Sequence, residues 1–399
     1  MKNKNQLILL LGLMAFLANG DNYAAAPLII NIAEDLGIQV NVAAYSVTAY
    51  MMSFGFFTLI FGPLSDRFGK VKVINIAALG TAAFSMLGAL SFNLPSLIFF
   101  RAMNGAFGAG IFPVTMALVG QSFDDDNRHK ALGKVMGLMF LGGATATAIG
   151  GALAYYGSWR IVYLVYGLSE LILALIMLKI LKRDEPVVQQ LNFLKAYKEP
   201  VTNFRFMRLV FTIFFVGFSV FGSFTYSGKL LQDITGYNIF IVGLILSLFG
   251  VGTVIGGRIA PMLKKALNQK FLLLAAVIGG VSLFALANSA NTWILGLSLF
   301  GFGTAFIFLQ STLISTAQEM LPKMRGTAMS LASFNMFVGG AVGTGINGQV
   351  MERFGAQTIF QNSAYIIFIV GIVAAVLIAR HEKMKQRYIF AEVQQQRYR

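Results

Sequence analysis

Three ionisable side chains stand deep inside long apolar stretches of this sequence: Asp21, Arg101 and Glu170. A charge at the centre of a bilayer costs a few kcal/mol by insertion scales, so such residues face a protein interior or a water-filled cavity and mark routes for ions or protons. Asp21 belongs to the cluster Asn19, Asp21, Asn22 and Tyr23, a polarity that a lipid-facing helix would not tolerate in mid-run. At about 1.5 Å per residue it lies about 22 Å from Gln6, leaving roughly 8 Å of a core about 30 Å thick. Arg101 falls at nearly the same level. An ion pair between them would favour the charged carboxylate, burial would oppose it, and access to water would decide between the two, which is what proton coupling requires. The alternatives are a permanently paired structural acid at Asp21 and an Arg101 that snorkels to nearby headgroups, since it stands only about 9 Å into its run. Glu170, about 16 Å from the nearer end of its run, sits close to the midplane and suits cation recognition, proton carriage or helix-to-helix packing.

Such residues need elements to hold them, and composition says which. Of 399 residues 57% are hydrophobic and 12% charged, with a mean hydropathy of +0.72, which no soluble domain of this length has. Apolar runs of membrane length number twelve, six on each side of a polar stretch. The expected organisation is a six-helix half over residues 1–181, a linker at 182–208, a second six-helix half at 209–380 and a basic tail at 381–399. The first run is preceded by MKNKNQ and contains YAAAP, which mimics a cleavable signal; apolar residues resume through Leu28 and Ile32, so it reads as an uncleaved first span.

Of 31 Lys and Arg, 27 fall on one side of this arrangement; Arg160, Lys229 and Arg353 fall on the other, and Arg101 lies within a span. The bias places both termini in the cytoplasm of a cell-membrane protein. It also explains the net charge of +15 as topological, with no nucleic-acid partner implied. The tail could touch anionic lipid. Cysteine is absent and His129 and His381 fall in expected loops, so neither a metal site nor a cofactor is expected.

The halves repeat. MFLGGATATAIGG at 139–151 returns as MFVGGAVGTGING at 336–348, an offset of 197 with eight of thirteen residues identical. Direct six-span repeats imply an all-α membrane fold of two pseudo-symmetric halves with a cavity between them.

Three signatures, GPLSDRFGKVK at 62–72, LIFFRAMNGAFGAG in span four and the series Gly133, Gly142, Gly150 and Gly151 in span five, make the chain resemble the major facilitator superfamily over nearly its whole length. GPLSDRFGKVK, Gly62 to Lys72, is similar to the loop between spans two and three, in which Pro63 and Gly69 are expected to break the helical run. Gly62, Asp66, Arg67, Gly69 and Lys70 are its gating positions, and the resemblance implies that Asp66, near a helix N-terminus, stabilises an outward-open state. LIFFRAMNGAFGAG in span four places Arg101, Asn104, Gly105 and Gly108 on one face, and the resemblance implies an embedded, functional arginine. In span five Gly133, Gly142, Gly150 and Gly151 keep the spacing of antiporter members, but Ala146 and Thr147 stand where those carry Gly-Pro. Gln121 likewise stands where many members have an acid, a role that Asp124, Asp125 or Asp126 could take.

The resemblance implies a proton-coupled exporter of small organic molecules, of the drug and metabolite efflux branch, acting as a monomer by alternating access. Uptake by symport or facilitated diffusion is the alternative; a membrane enzyme or scaffold is a third, without paired catalytic acids or an activated nucleophile to support it. Tyr23, Asn104, Ser219, Ser223, Tyr226 and Gln310 are the candidate substrate contacts. The stripe Phe211, Phe214, Phe218 and Phe221 reads as lipid-facing or packing surface.

Overall fold

The computed structural model describes residues 4–123, 125–182, 184–186, 193–268, 270–322 and 324–397, with side chains at 125, 126, 129, 193–196 and 385–397 not included. Its helices are α1 (Lys4–Leu36), α2 (Val40–Ala43), α3 (Tyr45–Phe68), α4 (Lys70–Ala89), α5 (Leu94–Gly108), α6 (Phe112–Ser122), α7 (Asp125–Tyr156), α8 (Trp159–Ile180), α9 (Phe193–Thr202), α10 (Phe204–Phe224), α11 (Ser227–Thr235), α12 (Ile239–Leu267), α13 (Lys270–Asn288), α14 (Thr292–Met320), α15 (Arg325–Phe354) and α16 (Ala356–Arg397). No strand occurs among the described residues. Twelve stretches are long and apolar enough to cross a bilayer, with α2 and α3, α5 and α6, and α10 and α11 each joined into one. This is an all-α, multi-pass membrane architecture.

The packing repeats as the sequence does. In the first half α1 lies along α7, α4 along α8 and α3 along α5; in the second α10 lies along α15, α13 along α16 and α12 along α14. Two seams join the halves, α7 against α12 and α3 against α15. Where apolar side chains face apolar lipid there is little hydrophobic drive between helices, so close backbone approach through small residues must supply the contact. The α7 and α12 seam does this: a methyl at Gly250 would fall 2.0 Å from the Ala144 Cα, and one at Gly243 would fall 2.4 Å from the Thr147 carbonyl oxygen.

Span four is not one continuous helix but α5 followed by α6. Pro113 has no N–H to offer the carbonyl four residues back. The chain instead turns through Gly110 N–H to the Phe107 carbonyl (2.9 Å) and Ile111 N–H to the Gly108 carbonyl (3.1 Å) before α6 begins. Span seven breaks similarly after Phe224, where the Tyr226 N–H reaches the Ser223 carbonyl at 2.9 Å. Irregular backbone at this depth is tolerated because protein, not lipid, surrounds it.

The loop after α3 also departs from expectation at one residue. Gly69 ends the helix with φ +88, a left-handed conformation that suits glycine, but Pro63 lies inside α3 and does not break it. Proline at 63 frees the Leu59 carbonyl, and the Tyr197 hydroxyl of α9 donates to that oxygen at 2.7 Å. The Ser330 hydroxyl of α15 lies beside Tyr197, so the linker helix sits across one end of the α3 and α15 seam. Burial pushes the Tyr197 phenol up to about 12, the Ser330 hydroxyl opposing; the donation is therefore intact below pH 10 and lost only as pH rises through about 12.

Asp66 pairs with Lys70 at 3.2 Å, whereas the acid on the α4 N-terminus is Asp184 of the linker. Its two oxygens accept from the Lys70 and Val71 N–H groups, each at 2.8 Å, which meets the helix dipole as an N-terminal cap does. Arg67 lies against the Phe68 ring at 5.0 Å, and Gly62 faces Ser330. The side chains of Asp124, Asp125 and Asp126, and those of the tail beyond Met384, lie outside the described residues.

Both ends of the linker thus grip α3 and α4, and removing either contact is expected to loosen the seam. Tyr197→Phe strips the donor from the Leu59 carbonyl and Asp184→Ala uncovers two N–H groups; each should lower the melting temperature by about 1–4 °C. Spin labels at the Gly62 and Ser330 ends of α3 and α15 should report wider separations in both variants. Unchanged distance distributions in both would mean that the linker does not hold this seam.

Candidate functional site

Asp21, Arg101 and Glu170 meet inside the first half, each at most 1% exposed. α5 carries Arg101, and its start is fixed by a reciprocal cap in which Asn93 Oδ1 accepts from the Ser96 N–H at 2.9 Å, with Pro95 in the first turn. Arg101 Nη1 lies 3.4 Å from Asp21 Oδ1 and donates to Asn104 Oδ1 at 3.2 Å. Asn104 in turn donates to the Thr81 carbonyl at 3.0 Å, tying α5 to α4. The guanidinium carbon rests 4.5 Å from the centroid of the Tyr50 ring and 5.1 Å from that of Tyr163. Tyr50 reaches it because α3 crosses α5 at Gly105, where a methyl would fall 2.2 Å from the Tyr50 carbonyl oxygen. The geometry is that of an embedded arginine, not of one reaching for headgroups.

Several buried atoms of this cluster lack hydrogen-bond partners: Asp21 Oδ2, Arg101 Nε and Nη2, both carboxyl oxygens of Glu170, and the hydroxyls of Tyr163 and Tyr166. Unsatisfied groups in a native interior call for an explanation, and one of the accepted ones is function. Glu170 interacts electrostatically with both Asp21 and Arg101. It does not line the cavity between the halves, so a direct contact with substrate is not formed in this conformation.

That cavity has a volume of about 90 Å³ and takes walls from both halves. Asn22 and Tyr23, the residues next to Asp21 on α1, line it, as do Tyr50, the broken segment from Gly108 to Pro113, and Phe221, Gln310 and Phe337 of the second half. None of the lining side chains is charged. Tyr50 therefore has the guanidinium against its ring and the cavity at its edge. Across the cavity, Phe54 stacks on Phe337 at 4.0 Å and Tyr23 meets Phe221 at 6.2 Å. Asn22 Oδ1 and Gln310 Oε1, one from each half, are buried acceptors without a donor.

A larger cavity of about 1270 Å³ opens at the end of the molecule that carries the basic loops, between α1, α7 and α12. Here the small-residue seam has parted: Gly137 and Gly257 line open space, and Phe140 lines both this cavity and the central one. At the opposite end the halves remain joined, with Asn41 donating to Glu352 at 3.1 Å.

The structure does not bring every candidate residue to this site. Tyr23 and Gln310 line the cavity; Asn104, Ser219, Ser223 and Tyr226 do not. The hydroxyls of Ser219, Ser223 and Tyr226 donate to the carbonyls of Ser363, Ser219 and Thr344 at 3.0, 2.6 and 2.9 Å: the first ties α10 to α16, the second stays within α10, and the third ties the turn after α10 to α15. In span five Gly142 abuts the Phe16 backbone and Gly150 abuts Ala24, packing α7 on α1, while Gly151 abuts Gly243 across the seam. The phenylalanine stripe divides: Phe211 is exposed, whereas Phe221 lines the cavity. Tyr50 and Phe140 escaped sequence reasoning, because an aromatic residue in an apolar run carries no mark of its surroundings.

The profile of the Major Facilitator Superfamily matches residues 11–344. The chain is 24% identical over 361 residues to the uncharacterized MFS-type transporter YceJ of Bacillus subtilis, covering 88% of this chain and 92% of that one. It is 28% identical over 368 residues to the multi-drug resistance efflux pump PmrA of Streptococcus pneumoniae, covering 86% and 89%. Among solved structures, a mutant form of the nucleoside transporter NupG superposes with a TM-score of 0.76 at 14% identity, covering 93% of this chain and 99% of that one. With the fold, the paired seams and this match over most of its length, the chain belongs to the Major Facilitator Superfamily of membrane transporters.

Proposed function

We propose that the chain is a proton-coupled exporter of small organic molecules that works by alternating access. The observation that carries this reading is the buried Asp21–Arg101 pair with Glu170 beside it, one residue along α1 from the cavity wall. One guanidinium faces two carboxyls. With one carboxyl protonated the cluster is neutral; with both ionised it holds a net negative charge in a dry space, at a cost of several kcal/mol. With the cavity empty, the closed arrangement accordingly holds one proton, and a rearrangement that brings water to either acid lets it leave. Arg101 makes the exchange reversible by pairing with whichever carboxylate results. Tyr50 links this chemistry to the cavity, since any substrate that moves its ring also moves the surface on which the guanidinium rests.

The cavity describes its substrate class. Aromatic walls, no charge, and unmet acceptors at Asn22 and Gln310 suit an apolar, ring-bearing molecule that carries N–H or O–H donors. At about 90 Å³ the cavity is below the roughly 300 Å³ at which ligand pockets begin, so the halves must separate to admit a substrate. Similarity to a multi-drug efflux pump favours export. Ala146 and Thr147 in place of Gly-Pro favour uptake on the same fold, and the direction of flux under an imposed pH gradient separates the two readings.

In reconstituted vesicles Asp21→Asn should abolish uphill, pH-driven transport while equilibrium exchange persists. Glu170→Gln should change the pH dependence of transport. Accumulation at the unsubstituted level in Asp21→Asn would remove Asp21 as the coupling residue, and an unchanged pH profile in Glu170→Gln would leave Glu170 a packing residue. For substrate contact, Gln310→Leu should weaken apparent affinity for a donor-bearing substrate about five- to tenfold, the worth of one good hydrogen bond. Ser219→Ala, which alters only a hydroxyl already given to a backbone carbonyl, should leave affinity within about twofold. Equal losses in the two variants would sink the assignment of Gln310.

A further inference from the structure

Away from the central cavity, a pocket of about 340 Å³ opens where the first turns of α10, the last turn of α14 and the stretch of α16 from Leu377 to Met384 meet. Arg205, Arg208, Arg380, His381 and Lys383 line it. Arg205 and Arg208 are three residues apart on α10, as Arg380 and Lys383 are on α16, so each pair shares one helix face. No ion pair among the described residues engages any of these four cations, while Arg208 is braced 4.1 Å over the Phe204 ring. Glu382, on the same turn of α16, does not line the pocket.

The pocket continues into a second space. A groove of about 550 Å³ runs between α10 and α16, lined by Phe211, Phe215, Phe218, Ile369 and Val373, and Arg208 and Leu377 belong to both pocket and groove. Phe211, Phe215, Ile369 and Val373 are exposed, so the groove lies on the outer face of the bundle. Its one hydroxyl, that of Thr212, donates to the Arg208 carbonyl at 2.9 Å. From Arg208 to Phe218 is ten residues of helix, about 15 Å, and half of a hydrocarbon core about 30 Å thick is the same length. A cationic pocket at the membrane surface, joined to an apolar groove one leaflet deep, matches a molecule with an anionic head and an acyl tail.

We infer that this cleft is a binding site for an anionic phospholipid, its phosphate held among Arg205, Arg208, Arg380 and Lys383 and one acyl chain laid along Phe211, Phe215 and Phe218. The site rests on the basic end lying at a membrane surface and not on the direction or coupling of transport. By clasping α10 and α16, both of the second half, the lipid would stiffen that half as a unit while leaving both seams free.

The test uses the full chain in bilayer discs, with Phe215→Trp as a reporter in the groove and the unsubstituted protein as the background for Trp159 and Trp293. Phosphatidylglycerol brominated on its acyl chains should quench the reporter at a mole fraction about tenfold lower than brominated phosphatidylcholine does. Adding Arg208→Gln and Arg380→Gln should bring the two lipids to within about twofold. Equal quenching by the two lipids, or selectivity that survives the two Gln substitutions, would overturn the inference. So would release of quenching by soluble glycerophosphoglycerol at millimolar concentration, which would make the site one for a free anion. Should Phe215→Trp fail to fold, native mass spectrometry of the unsubstituted protein and the Arg208→Gln, Arg380→Gln protein decides the same question: phosphatidylglycerol retained over phosphatidylcholine by the first and not the second supports the site, and no difference overturns it.

Discussion

Burying one guanidinium organises the first half of this molecule. An ion the size of that of Arg101 loses several kcal/mol of hydration in a dry interior, and it persists only where countercharge and hydrogen bonds are gathered round it. The partners come from separate elements: Asp21 from α1, the Tyr50 ring from α3, Asn104 from α5 itself and the Tyr163 ring from α8. Four helices are thereby held to one register. Gly105 is needed for the same reason, since any larger residue would push α3 off α5 and take Tyr50 out of reach. Yet the cluster is left incomplete, with the Glu170 oxygens and two guanidinium nitrogens unmatched. A fully satisfied network would be a lock; an unsatisfied one has a second arrangement within reach.

The seams give that second arrangement a place to go. Helices joined by small residues touch backbone to backbone and have few interlocking side chains to resist a tilt, so a rigid half can rock on them. The α7 and α12 seam is closed where Gly151 meets Gly243 and parted where Gly137 faces open space. One helix pair therefore displays both conditions along its length. The α3 and α15 seam is spanned at its basic end by α9, whose Tyr197 donates to the Leu59 carbonyl of α3 beside Ser330 of α15, while Asp184 upstream of α9 caps α4.

Sequence alone reached the parts of this design that depend on residue type against background. A charge in an apolar run is conspicuous, so Asp21, Arg101 and Glu170 could be singled out, and the repeat, the twelve spans and the family were legible from periodicity and motif. What depends on direction was not legible. Ser219, Ser223 and Tyr226 share a helix face with polar character, but their hydroxyls satisfy nearby carbonyls, the usual fate of hydroxyls in apolar surroundings. Tyr50 looks like any aromatic residue of a span until the guanidinium is found on its ring. Asp184 lies more than a hundred residues from the N–H groups it caps, and no local pattern ties a linker acid to a loop. Pro63 reads as a breaker because its own helix cannot use the freed carbonyl; the Tyr197 hydroxyl uses it instead.

The division between the halves follows from these same facts. The buried charges Asp21, Arg101 and Glu170 all stand in the first half, and the 197-residue offset places Phe218, Ser298 and Ile367 at the corresponding positions of the second. Phe221, Phe306, Phe337 and Gln310 are among what the second half brings to the cavity, with no charged side chain. On the proposed function, ion and substrate then need not compete for one carboxylate. A substrate bound by aromatic surface and amide groups is indifferent to the protonation of Asp21 within a single conformation, and the two can influence each other only through the equilibrium between conformations. Coupling of an exporter in such a design lies in which closed states are populated: neutral cluster with empty cavity on one crossing, charged cluster with filled cavity on the other. Tyr50, shared by the two sites, is where that condition would be enforced.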